Sequence, residues 1–152
     1  MDRNILFLCT GNSSRSPIAE AILKQKAGDV FNVYSAGTAP REKMFEPAIE
    51  VMKEVDLDIS EHTPVGVKEY LGKVHFEKAI ILSHTAEENC PRIFGPADRV
   101  YWPFDDPAGK EGSTEDVLAF TRAYRDEVER KISEWLNEIG VKERAVAQAA
   151  EA

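Results

Sequence analysis

The run Ile5-Leu6-Phe7-Leu8-Cys9 is apolar to its last residue, breaks into the small polar stretch Thr10-Gly11-Asn12-Ser13-Ser14, and resumes at Arg15-Ser16-Pro17-Ile18-Ala19-Glu20 as the start of a helical pattern. A buried strand that passes into a helix through so short a loop is one unit of the alternation of apolar runs and helical patterns that marks a sheet covered on both faces by crossover helices. Gly11 and Asn12 tolerate left-handed backbone angles, so the loop can curl its N–H groups toward one centre as an anion nest. Ser16 as N-cap and Pro17 at the first helical position would set the positive end of the helix dipole against that centre.

Arg15 adds a planar fork of donors that grips two oxygens of a tetrahedral anion, and the same donors favour Cys9 as thiolate. The segment therefore has the layout of a nucleophile, Cys9, aimed at an oxyanion held by Thr10, Gly11, Asn12, Ser13, Ser14, Arg15 and Ser16. Cysteine is among the most buried residue types, and a cysteine six positions before an arginine is a weak motif by itself. The apolar strand before it, the Gly-Asn turn within it and the Ser-Pro step after it give it weight.

Elsewhere the chain alternates short apolar runs with longer helical patterns. Strands are expected at Ile5–Cys9, Phe31–Ala36, Ala79–Ser83 and Arg99–Trp102, and helices at Pro17–Ala27, Glu46–Val55 and Ala86–Ile93, with a short one near Val65–Leu71. The last helix is the clearest. Ser113 and Asp116 make a capping box, and Val117, Phe120, Tyr124, Val128, Ile132, Trp135 and Ile139 recur at three and four residues until Gly140. The expected class is α/β, a single-domain three-layer sandwich on a four-stranded parallel sheet. It would span residues 1–140, with a frayed tail over 141–152. In such sheets ligands collect beyond the carboxyl ends of the strands, where Cys9, Ser83 and the segment after Trp102 all fall.

At 152 residues the chain suits one domain with a full core. Its net charge of −8 argues against broad nucleic-acid or acidic-membrane binding, so an anionic substrate has to be won locally by the loop. No run of about 18 apolar residues is present and the N-terminus enters a strand at once, so neither a membrane span nor a secretory signal is expected. The cytoplasm is the expected address. The two cysteines, Cys9 and Cys90, do not make a disulfide framework, and a reducing compartment would keep a thiolate usable. His62, His75 and His84 have no metal-ligand spacing, so neither a metal nor another cofactor is expected.

Phe104-Asp105-Asp106-Pro107 follows the last strand, and Asp106 is the candidate acid that protonates a leaving oxygen, although Asp-Asp-Pro is also an ordinary turn element. Cys90, near the end of a short helix with Thr85 as its expected cap, is either a buried structural cysteine or a resolving thiol.

Taken together, Cys9-(five residues)-Arg15-Ser16, the strand Tyr34-Ser35-Ala36-Gly37 and Asp106-Pro107 resemble the low-molecular-weight tyrosine phosphatase and thioredoxin-coupled arsenate reductase superfamily, up to about Gly140. The resemblance implies that Cys9 attacks, that Arg15 and the loop amides hold the oxyanion, and that Asp106 handles the proton. It further implies that Asn12 locks the loop and that the Ser16 hydroxyl stabilises the thiolate. Ser16-Pro17-Ile18-Ala19-Glu20-Ala21 looks like the phosphatase branch, whereas Trp102-Pro-Phe-Asp-Asp-Pro-Ala-Gly and Arg125-Asp126-Glu127 look like the reductase branch. Ala108-Gly109 stands where phosphotyrosine-specific members carry aromatic residues, and it cannot stack on a ring.

The reductases relay electrons through three cysteines, and the matching positions here read Cys9, Ser83 and Cys90. Serine forms no disulfide, so either Cys90 or an external thiol must resolve the Cys9 adduct. Arsenate reduction is the preferred expectation, with thioredoxin, or glutaredoxin with glutathione, as the partner. Phosphomonoester hydrolysis is the alternative, and a non-catalytic oxyanion or redox sensor comes third.

Overall fold

The computed structural model describes residues 3–89 and 98–144. Four strands, β1 (Asn4–Cys9), β2 (Asn32–Gly37), β3 (Lys78–Ile81) and β4 (Asp98–Tyr101), form one sheet in the order β2-β1-β3-β4. All three pairings are parallel. The helices are α1 (Arg15–Ala27), α2 (Glu46–Lys53), α3 (His84–Asn89) and α4 (Thr114–Glu138), with 3₁₀ turns at Val67–Glu69 and Pro107–Gly109.

β1 shows why the sheet needs two covers. Successive strand side chains point to opposite faces. Ile5, Phe7 and Cys9 join a core with Ile18, Ile22 and Leu23 of α1, Ala48, Ile49, Val51 and Met52 of α2, and Tyr124, Val128, Ile132 and Trp135 of α4. Leu6 and Leu8 face the other way, into a smaller core with Val67, Phe76 and Ala86. Tyr34, Tyr70 and Phe76 close that second face through edge-to-face ring contacts. Burying side chains such as Val128 and Ile132 contributes about 1.5–3 kcal/mol each, so α4 is fixed to the sheet by its stripe.

α4 carries the capping box at Ser113 and Asp116 that its sequence announces. Its stripe stops short of the expected end, because Ile139 is among the exposed large hydrophobics. β4 departs from the expectation of strands buried on both faces. It is an edge strand, exposed along its length except for the half-buried Val100. Past α4 the chain turns back on the end of α1, where the Arg144 N–H donates to Lys26 O at 2.7 Å.

Two helix starts differ from the sequence reading. α1 begins at Arg15, with Ser14 as N-cap making no side-chain cap bond, so Ser16 is not the cap. Its hydroxyl is engaged instead by Cys9 and Asn12. Pro17 is then the third helical residue, tolerated because first-turn N–H groups lack intrahelical partners. α3 begins at His84, and its cap is Ser83, whose Oγ accepts the Ala86 N–H at 3.0 Å, rather than Thr85. Cys90 and the expected continuation of this helix to Ile93 lie outside the described residues.

Candidate active site

β1 is an interior strand, and it delivers Cys9 to the carboxyl edge of the sheet. The loop that follows is held by its carbonyls. Cys9 O accepts from Thr38 N at 3.1 Å, Thr10 O from Ala39 N at 2.9 Å, Gly11 O from Arg41 N at 2.9 Å and Ser13 O from Phe45 N at 3.1 Å. In a trans peptide each carbonyl lies opposite the next N–H. Carbonyls turned outward to the 38–45 segment therefore turn the N–H groups of Thr10, Gly11, Asn12 and Ser14 inward. Asn12 shows this directly, its N–H donating to Cys9 Sγ at 3.2 Å.

Cys9 is 2% exposed, and its sulfur also lies 2.9 Å from Ser16 Oγ. Ser16 Oγ accepts from Asn12 Nδ2 at 2.8 Å, which leaves the hydroxyl proton free to point at the sulfur. The Asn12 N–H and the Ser16 hydroxyl thus converge on Cys9 Sγ.

Asn12 is the fastener of the loop. It is fully buried with φ 51, a left-handed conformation that costs an L-residue about 1–2 kcal/mol. Its side chain offsets this by bonding on every side. Nδ2 donates to Ser16 Oγ at 2.8 Å and to Ser35 Oγ at 3.0 Å, while Oδ1 accepts from Val65 N at 2.8 Å and contacts His62 Nε2 at 3.0 Å, which fixes the imidazole proton on Nε2. Ser35 Oγ in turn donates to Glu20 Oε1 at 2.6 Å. Burial holds the His62 imidazole below the usual histidine range, against the opposing pull of the Glu20 carboxylate.

Arg15 is 6% exposed and is gripped at both ends. Its Nη1 donates to Phe104 O at 2.8 Å, and its own carbonyl accepts from the Tyr124 hydroxyl at 2.6 Å. Arg15 Nε is buried and has no hydrogen-bond partner. A buried cationic donor left unpaired is costly, and it marks where an acceptor is missing.

Asp106 stands over the loop. Its Oδ1 caps the Pro107–Gly109 turn by accepting from Ala108 N at 3.0 Å and lies 3.4 Å from Ser14 Oγ. Its Oδ2 is 3.7 Å from Arg15 Nη2 and 3.5 Å from Arg41 Nη2. Thr10 Oγ1 and Ser83 Oγ are 3.0 Å apart, so the carboxyl ends of the paired strands β1 and β3 meet beside the loop.

Cys9, Thr10, Gly11, Asn12, Ser13, Ser14, Arg15, Ser16 and Asp106 are therefore brought together. Arg41, His62, Glu20, Ser35, Phe104 and Tyr124 complete the surroundings, and the sequence reading gave none of them a part in the site. Only Glu20, one helical turn beyond Ser16 on α1, carried a spacing that could have suggested it. Among the described residues no group of three or more histidine, cysteine or carboxylate side chains is placed to hold a metal ion, and no helix is long and apolar enough to cross a membrane.

The chain is 41% identical over 129 residues to a protein of Halalkalibacterium halodurans named arsenate reductase, covering 84% of this chain and 91% of that one. Among solved structures it is similar to an arsenate reductase in the phosphate binding state, with a TM-score of 0.74 at 24% identity over 90% of this chain and 98% of the other. It shares the fold of the tyrosine phosphatase Wzb from Escherichia coli K30 in complex with sulphate, with a TM-score of 0.73 at 19% identity over 91% of this chain and 99% of the other. The model of the family described as low molecular weight phosphotyrosine protein phosphatase matches residues 4–145, which leaves only the ends of the chain outside the match. With a cysteine and an arginine bracketing an inward-facing amide loop on a four-stranded parallel sheet, this chain belongs to the low molecular weight phosphotyrosine protein phosphatase family.

Proposed function

We propose that the chain reduces arsenate to arsenite, with Cys9 as nucleophile, Arg15 and the amides of residues 10–16 as the oxyanion cradle, and Asp106 as the proton carrier. The observation that carries the cradle is the buried, unpartnered Arg15 Nε beside a cysteine that already receives two donors. An oxyanion oxygen supplies the acceptor that this donor lacks. The choice of arsenate is supported by the relative named arsenate reductase at 41% identity, and by Ala108-Gly109 after Asp106-Pro107, which offers no aromatic wall for a phosphotyrosine ring.

The chemistry runs in two steps. The Cys9 thiolate attacks arsenic, and the displaced oxygen leaves as water with a proton from Asp106. A second thiolate then attacks Cys9 Sγ, the sulfur–arsenic bond breaks with its electron pair going to arsenic, arsenite departs and a disulfide remains. Ser83 occupies the place of the reductases' middle cysteine, so the second thiol is Cys90 or an external one. The reductant is thioredoxin, or glutaredoxin with glutathione, and the setting is the cytoplasm.

Phosphomonoester hydrolysis is the second reading. Ser83 favours it, because water resolves a phosphocysteine without any further thiol. Purified protein assayed side by side for aryl-phosphate hydrolysis and for arsenite formation with thioredoxin, with glutaredoxin plus glutathione, or with no donor tests both. Arsenite formed with a donor is the expected result, and hydrolysis with no arsenite under any donor would replace the first reading by the second. Cys90→Ser then separates the routes. Loss of arsenite formation under thioredoxin assigns the resolving role to Cys90, and retention with glutathione assigns it to the external thiol.

A further inference from the structure

Arg15 is held by two groups that also hold each other. Phe104 O accepts Arg15 Nη1 at 2.8 Å, Tyr124 OH donates to Arg15 O at 2.6 Å, and the Phe104 and Tyr124 rings meet edge-on with centroids 5.0 Å apart. Phe104 lies two residues before Asp106, so the same contact steadies the segment that carries the acid. Tyr124 comes from the middle of α4 and is 5% exposed, buried in the same core as Ile18 and Phe7. A phenol in that setting must place its proton on something, and the acceptor is the carbonyl of the residue whose guanidinium lines the cradle. Burial raises the Tyr124 hydroxyl well above the ordinary phenol range, with the Cys9 charge adding to the rise and Arg15 opposing it, so it stays a donor throughout neutral pH.

We infer that Tyr124 is a positioning residue for the reaction: its hydroxyl fixes the backbone of Arg15, and with Phe104 it sets the aim of the Arg15 guanidinium at the transition state. This inference rests on the proposed thiolate chemistry at Cys9 and adds to it the part played by α4. The hydroxyl is distinct from the loop's own fastenings through Asn12. Those hold the inward amides, which share a bound anion with Arg15. The Tyr124 bond governs where the arginine fork sits as the oxyanion's equatorial oxygens spread, and small misplacements of such a group act mainly on the rate of the chemical step.

The experiment compares the unaltered chain with Tyr124→Phe, and reads kcat for aryl-phosphate hydrolysis and arsenite formation alongside the protection of Cys9 from iodoacetamide by inorganic phosphate. Tyr124→Phe is expected to lower kcat by about tenfold or more while the phosphate concentration that half-protects Cys9 changes less than about threefold. A merely structural contribution would loosen the loop and weaken both together. In an Arg15→Ala background the phenylalanine should cause no further loss, since the hydroxyl acts through the guanidinium. 4-Aminophenylalanine at the same position retains a donor within reach of the carbonyl and should restore most of the rate. It also keeps the test decisive if the phenylalanine variant folds poorly.

Unchanged kcat in Tyr124→Phe, parallel losses of rate and phosphate protection, a full additional loss on top of Arg15→Ala, or no recovery with the amino analogue would each overturn the inference. Absence of any turnover by the unaltered chain is a different failure, visible before a variant is made. It removes the proposed chemistry, and this inference falls with it.

Discussion

The hydroxyl of Ser83 stands 3.0 Å from that of Thr10, one residue past Cys9, and at the same time caps α3 by accepting the Ala86 N–H at 3.0 Å. Ser83 is thus bonded both to the loop that follows β1 and to the first turn of α3. A hydroxyl in that place forms no disulfide.

Ser83→Ala removes the cap of α3 and the partner of the Thr10 hydroxyl, while the backbone amides of residues 10–16 and the Arg15 guanidinium keep their own contacts. It is expected to lower stability by about 1 kcal/mol while aryl-phosphate hydrolysis stays within about threefold of the unaltered chain. Urea denaturation and steady-state rates check this. A large loss of rate at unchanged stability would make Ser83 part of the machinery.

Gly37, the last residue of β2, lies against the loop so closely that an added Cβ would fall 2.4 Å from Thr10 O and 3.1 Å from Asn12 N. Both neighbours are backbone atoms of the cradle, so they cannot swing aside as a side chain would. Gly37→Ala should weaken phosphate protection of Cys9 by at least about tenfold. Gly109→Ala, where nothing lies within 4 Å, is the matching control and should leave protection unchanged.

Asp106→Asn should slow hydrolysis of esters with poor leaving groups by about 10²–10⁴-fold, and of nitrophenyl-type esters far less, because only the former need a proton in the transition state. A leaving-group series measured on both proteins gives the answer. Equal losses across the series would reassign Asp106 to holding Arg15 and Arg41 in place.

α4 is tied to the end of α2 by Glu54, whose carboxylate accepts from Arg122 Nε and Nη2 at 2.8 Å each and from Arg125 Nη1 at 2.8 Å. Hydrogen bonds from Arg122, then from Arg125, lower the Glu54 pKa from 4.5 to about 2. A carboxyl group with its folded pKa depressed stabilises the fold above its ordinary pKa and loses that contribution as pH falls toward about 2. Glu54→Gln should therefore be less stable than the unaltered chain at pH 7, with the gap narrowing between pH 4.5 and 2. The pair is half-exposed and its contribution is correspondingly modest. Urea midpoints across that range test it, and a gap that does not change with pH would mean that the clamp contributes nothing through charge.

The parts of the fold legible in the sequence are those settled by local rules. α4 was marked by its stripe and by Ser113 and Asp116, and the cradle by the abrupt change after Cys9. Ser16 misled because a serine before a proline usually caps, whereas here its hydroxyl serves a sulfur. The floor of the cradle was not legible, because His62 and Val65 reach Asn12 from 50 and 53 residues away, and Tyr124 reaches Arg15 from 109. No periodicity encodes such pairs. They exist only once β1 is flanked by β2 and α4 lies across α1.

The interior position of β1 has a consequence for how such a protein diversifies. Cys9 rides on a strand bonded to neighbours on both sides, while Arg41, Ser83 and Asp106 arrive from three separate connections at its rim. A charge or a thiol can be placed on each of those connections without a change in the strand beneath. One rigid thiol can thus be offered to different second reactants, a water in one descendant and a sulfur in another, by editing the side chains of the rim.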